Sequence, residues 1–154
     1  MLLGISKTLR DYLRSAISDT DVEIGMLGAT NAPSAAETIL IFLYAVEELY
    51  ELRTPPTRSG KQAPPALRLR YLVTCTSASA IDLQKRLSRV LDAFDRHPVF
   101  RGHDLDGSIS DRIETVTIQL RAPTSNELMN IWTALRTGML LSLYYEVTAE
   151  PSPR

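Results

Sequence analysis

The sequence predicts an α+β domain, a mixed β-sheet flanked by about three helices, and three observations carry that expectation. Three segments repeat apolar residues at helical spacing, and five others show the alternation or the β-branched runs of strands. The two kinds are interleaved along 154 residues, and no break in composition divides them. Residues 1–150 are therefore expected to form a single domain, with 151–154, PSPR, as a frayed tail.

The first helix is read from Ile5, Leu9, Leu13 and Ile17, with Tyr12 and Ala16 on the same side and Lys7, Arg10, Asp11 and Arg14 mostly elsewhere. Those same cations interrupt the apolar start before it is long enough for a secretory leader. Asp19-Thr20-Asp21 then turns into a short strand, VEIGML, and Thr30–Ser34 is punctuation. The segment ETILIFLYAVEEL is apolar on both faces for eight positions and rich in branched and aromatic residues, so it is expected to be a central strand covered on both sides.

From about 52 to 66 the chain becomes a basic loop in which Pro55, Pro56, Pro64 and Pro65 surround Ser59-Gly60-Lys61. Strict alternation resumes in LRLRYLVTCT, with Leu67, Leu69 and Tyr71 on one face and Arg68 and Arg70 on the other. Ser77 or Ser79 is positioned to cap a second helix with Leu83, Leu87, Val90, Leu91 and Phe94 as its apolar stripe, and Pro98 stops it. Val99-Phe100 leads into a polar, turn-rich loop, RGHDLDGSISD, and RIETVTIQL reads as a strand with one buried face.

Thr124 and Glu127 form a capping box: the Thr124 hydroxyl accepts from the amide three residues on while Glu127 reaches back. The helix that follows turns Leu128, Ile131, Trp132 and Leu135 inward, Gly138 is expected in the turn that ends it, and MLLSLYYEV is the last strand. The expected core includes Leu9, Leu13, Phe42, Leu87, Leu91, Phe94, Leu128, Ile131 and Trp132.

Composition narrows the function classes. Apolar residues make up 44% and charged residues 23%, as in globular proteins, and a formal net charge of -1 gives no global attraction to a phosphate backbone. The longest apolar run, Ile39–Val46, is eight residues, against roughly twenty for a membrane-crossing helix, so no membrane partner is expected. The single cysteine, Cys75, has no internal disulfide partner, which points to a reducing compartment.

Reactive groups are scattered. His97, His103, Asp104 and Asp106 are the nearest approach to a metal-ligand set, but His97 ends a helix and the others sit in a loop, without the spacing of a metal site. Cys75 lies in an apolar strand and reads as an inert thiol; no nucleophile elbow or phosphate-cradling glycine loop is present. Glu47 and Glu48 point to opposite faces of a strand end. The expectation is a protein with no catalytic residue, no metal, no cofactor and no small-molecule substrate.

What remains is a candidate partner interface of Arg53, Arg58, Lys61, Arg68, Arg70 and Tyr144. The five cations run from 53 to 70 with no acid among them, and only Tyr71 adjoins them for base stacking. Docking onto an acidic protein surface therefore outranks binding of nucleic acid. Tyr144 and Tyr145 point oppositely in a strand, which places one of them, taken as Tyr144, on a face open to assembly.

Several stretches together resemble one family. GISKTLRDYLRSAI, ILIFLYAVEEL with its LRTPP loop, PALRLRYLVTC, LQKRLSRVLDAFDRHPVF and SNELMNIWTALRTGMLLSLYYEV look, in this order, like the Pvc16 N-terminal domain family, formerly a domain of unknown function. The combination of HPVF, ELxxIWxAL and SxxYEV is its most specific part; RTGMLL stands where the family more often has a proline-aromatic turn, and some relatives carry a further C-terminal domain.

The resemblance implies a phage tail-terminator-like single domain acting as the cap of a contractile injection system. Such a protein forms a six-membered ring of identical copies that closes the baseplate-distal end of the inner tube and holds the last sheath ring. Its partners would be itself, the tube protein and the sheath protein. It would reside in the cytoplasm of the producing bacterium and then in the assembled particle, which some systems release. The alternative is another structural adaptor of the same particle, in tube or baseplate, and less favoured is a small nucleic-acid-binding protein.

Overall fold

The computed structural model describes residues 1–25, 37–50, 64–76 and 79–152. Along the chain it runs α1 (Leu2–Ala16), β1 (Asp21–Ile24), β2 (Thr38–Glu48), β3 (Leu67–Thr76), α2 (Ala80–Arg96), β4 (Val99–Arg101), a short 3-10 turn (Gly102–Asp104), β5 (Ile113–Leu120), α3 (Ser125–Leu135) and β6 (Leu143–Pro151). The strands form one sheet in the order β1-β2-β3-β6-β5-β4. β1 lies parallel to β2 and every other neighbouring pair is antiparallel. The fold is thus the expected α+β, with one strand more: Val99-Phe100, read only as a lead-in, pairs with Val116 and Thr117 as part of β4.

The period-two pattern of β3 decides where everything else sits. Leu67, Leu69, Tyr71, Val73 and Cys75 face the main core, in which Ile5, Leu9 and Leu13 of α1 and Val90, Ala93 and Phe94 of α2 cover the sheet. Arg68, Arg70, Leu72 and Thr74 face the other way, toward α3. Each fully buried leucine or isoleucine in this core contributes roughly 1.5–3 kcal/mol. Two polar ends are tied off within it: the Tyr71 and Ser6 hydroxyls lie 2.8 Å apart, and the Tyr12 hydroxyl donates to the Ala93 carbonyl at 2.7 Å.

β2 is covered on both faces near its start, but β3 and β6, not β2, are the middle of the sheet. Its register jumps between Leu43, opposite Tyr71, and Ala45, opposite Arg70, so Tyr44 is the extra residue of a bulge. Beyond it Val46 is 47% exposed, and the apolar run ends in solvent.

The loop read as polar contributes to the core. Leu105 and Ile109 are buried, the Asp106 amide donates to the Thr8 hydroxyl at 2.9 Å, and that hydroxyl donates to the Gly4 carbonyl at 3.0 Å. Gly4 is what lets the loop come so close: a Cβ there would lie 2.4 Å from Ile109 Cγ2 and 2.9 Å from the Ser108 hydroxyl oxygen.

Three other expectations are corrected. Leu91 is 37% exposed rather than core, because Leu87, Val90 and Phe94 take the sheet-facing side of α2 and Leu91 falls on its flank. α3 ends with Arg136 in the left-handed conformation (φ 51°), two residues before Gly138. The last strand starts at Leu143 rather than Met139, and it runs through Pro151, opposite Ile113, while the Ser152 amide donates to the Arg112 carbonyl at 3.0 Å. Residues 151 and 152 are therefore held rather than frayed; a proline fits the final strand position because no ladder bond is asked of it there.

Candidate partner interface

Of the five cations read as an interface, Arg53, Arg58 and Lys61 lie outside the described residues. Arg68 and Arg70 project from β3 on the α3 side of the sheet, and strand pairing brings them acids that are distant in sequence. Glu47 stands opposite Arg68, and Glu146 opposite Arg70. Arg68 lies 3.4 Å from Glu47 and 3.2 Å from Glu146; Arg70 lies 3.4 Å from Glu127 and 3.9 Å from Glu47. Arg121 completes the network, with one guanidinium nitrogen 2.9 and 3.0 Å from the two Glu127 oxygens. Two of the predicted interface cations are thus already neutralised within the chain.

The network is anchored by the helix cap. Glu127 accepts the Thr124 amide at 2.9 Å while its own amide donates to the Thr124 hydroxyl at 3.2 Å, the capping box read from the sequence. The Thr124 amide first, and Arg121 second, hold the Glu127 carboxyl below its usual range, and Glu127 in turn raises Arg121. Burial raises the nearby Tyr44 phenol, against a smaller lowering by Arg121.

Next to these charges lies a small apolar cluster of Leu72, Trp132 and Tyr144, with Phe42, Leu128 and Ile131 packed against it half-buried. Trp132 donates its indole N–H to the Tyr144 hydroxyl at 2.9 Å. Tyr144 is only 7% exposed, so it is corrected from partner surface to the seat of α3. It does point opposite to Tyr145, which is buried in the main core.

Some exposed apolar groups border grooves elsewhere on the surface. Met129, 67% exposed, and Met139, 66% exposed, line a 570 Å³ groove along the outside of α3. A second groove, of 460 Å³, runs between α2 and β5 and includes the exposed Leu91 and Leu120. Neither surface was anticipated; the run MLL after Gly138 was the available signal for the first.

The reactive candidates do not converge. His97 stacks on Tyr12 with ring centres 5.1 Å apart, and its Nε2 is 3.4 Å from Asp104, which His103 also approaches at 3.3 Å. Asp106 instead accepts from the Ser108 amide at 3.0 Å. Among the described residues no three histidine, cysteine, aspartate or glutamate side chains group as metal ligands. Cys75 is buried, and burial pushes its thiol up to about 11. No helix among the described residues is long and apolar enough to cross a membrane.

A mixed six-stranded sheet with two helices on one face and a third seated on charges on the other defines an α+β domain of the terminator-like fold. The chain belongs to the Pvc16 N-terminal domain family, whose model matches residues 4–151. Its fold is similar to that of the sheath/tube terminator of an extracellular contractile injection system, PVC, in the extended state, with a TM-score of 0.67 and 23% identity over 100% of this chain. It is also similar to the anti-feeding prophage cap, a tube terminating cap, with a TM-score of 0.65 and 23% identity over 100% of this chain. The chain spans 57% of the first and 56% of the second. No curated protein matches the sequence.

Proposed function

We propose that this chain is the structural cap, or tail terminator, of a phage-tail-like contractile injection system. It forms a six-membered ring that closes the baseplate-distal end of the inner tube and holds the last sheath ring, without enzymatic chemistry. The observation that carries this reading is the likeness of the fold, over the whole chain, to two solved terminating proteins, together with the family match. Assembly would take place in the cytoplasm of the producing cell, and the protein would remain in the finished particle.

A terminator must bind one growing end and offer no equivalent surface to a further ring, so its contacts are heterologous around the ring and unlike on its two faces. The segment from Leu52 to Pro65, with Arg53, Arg58 and Lys61, is the proposed contact with the sheath or the adjacent copy. Nucleic acid is disfavoured, since Arg68 and Arg70 are matched by Glu47, Glu127 and Glu146. The test is mass measurement in solution with and without tube protein, followed by imaging for a six-fold ring at the tube end. Replacing Arg53, Arg58 and Lys61 with glutamate should leave a folded protein and impair capping. Unchanged particle length and assembly in that variant would remove those residues from the interface, and absence of the chain from the tube end would sink the terminator reading.

A further inference from the structure

The groove between α2 and β5 exists because the edge of the sheet stops short. The Ile118 amide donates to the Pro98 carbonyl at 2.8 Å, whereas the Arg121 amide donates to Tyr144 of β6 at 2.8 Å. Strand alternation therefore aims the main-chain groups of Ile118 and Leu120 outward, away from β6. Pro98 has no N–H to offer the Ile118 carbonyl, and β4 begins only at Val99. From that carbonyl through Leu120 the edge of β5 has no strand partner among the described residues.

The side chains beside this edge are unfinished in the same way. Leu120 is 56% and Leu91 37% exposed. Tyr145 lines the groove, is 2% exposed, and its hydroxyl has no hydrogen-bond partner, which is costly for a buried polar atom. Asp92 and Asp95 form an acidic rim on α2, no cation lines the groove, and neither carboxylate forms an ion pair among the described residues.

We propose that this groove receives an extended segment of another protein, which adds to the sheet beside Leu120 and turns both apolar and basic side chains, at every second residue, toward α2. Main-chain bonds to the Leu120 N–H and C=O set its register, its apolar side chains cover Leu91 and Leu120, and its cations meet Asp92 and Asp95. Among the described residues the one strand that carries two cations, Leu67–Thr76, has β2 and β6 on its two sides, so that strand of a second copy is not free to add here. The occupant is defined by this chemistry whether or not the chain caps a tube.

The experiment uses the full chain and two labelled decapeptides in which every second residue is serine and the residues between alternate valine with lysine in one peptide and valine with glutamate in the other, so that valines and charges share one face. Fluorescence anisotropy should show the lysine peptide binding about tenfold more tightly or better, and the Leu120 amide should gain protection from hydrogen exchange when it binds. Asp92 and Asp95 are both exposed, so the variant D92K/D95K should fold normally and reverse the preference. Equal affinity for the two peptides, or an unprotected Leu120 amide in the bound state, would overturn the proposal. Protection of Leu120 in a dimer formed without peptide would overturn the choice of occupant and assign the groove to a second copy.

Discussion

Gly4→Ala sets two effects of opposite sign against each other. In an open helix the change stabilises by about 1 kcal/mol, since alanine is the best helix former and glycine among the poorest. Here the new methyl carbon would stand 2.4 Å from Ile109 Cγ2 and 2.9 Å from the Ser108 oxygen. Ile109 is 1% exposed and cannot swing away, so the loop must move as a body. Overpacking of this kind costs about 1–3 kcal/mol, and displacing the loop also loosens the bond from the Asp106 amide to Thr8. A net loss of about 1–2 kcal/mol is expected, which lowers Tm by about 2–8 °C in a chain of this size. Urea unfolding should show the midpoint falling with an unchanged slope. Ile109→Ala removes the clashing methyl group, so on that background Gly4→Ala should become neutral or stabilising, a coupling that a double-mutant cycle measures. A rise in stability from Gly4→Ala alone would refute the close-packing argument.

Two further outcomes follow from the α3 side of the sheet. Tyr144→Phe leaves the Trp132 indole N–H without its partner and should destabilise by about 1–3 kcal/mol, read by urea unfolding through the fluorescence of the chain's only tryptophan. Glu127→Gln weakens both the cap and the contact with Arg121, and should cost about 1–2 kcal/mol at neutral pH. Because the folded state lowers the Glu127 carboxyl from its ordinary value of 4.5, the stability it contributes is fully present above that value and is lost as the pH falls through the folded one. The gap between wild type and this variant, followed by denaturant titration, should therefore close on acidification; a gap independent of pH would remove the carboxylate from the account.

Local grammar was legible in the sequence. The stripe of α1, the Ser79 cap whose hydroxyl accepts from the Asp82 amide, and the Thr124–Glu127 box are set by residues three or four apart, and the chain carries them openly. What depended on pairing was hidden. The bulge at Tyr44 follows from register between two strands, and no residue of β2 announces it. Leu105 and Ile109 are isolated apolar residues in a polar loop, and they became core only when α1 offered Gly4 to dock against. The run of cations around Arg68 and Arg70 looked one-signed because charge was counted along the chain, whereas Glu47, Glu127 and Glu146 reach it across strands and from a helix. Leu91 fell on a helix flank that a stripe of repeats does not separate from the buried face.

The unequal attachment of the helices divides the molecule by strength. α1 and α2 are joined to the sheet by an aromatic and aliphatic interior, while the first turn of α3 rests on partly exposed ion pairs and only Trp132 of that helix is buried. Salt screens pairs of that kind, while apolar burial is not weakened by screening. The amides of α3 therefore exchange with solvent through a small local opening, at lower free energy than those of β3 and β6, and the opening grows easier as ionic strength rises. One side of the sheet behaves as a fixed plate and the other carries a latch whose tension the surrounding electrolyte sets.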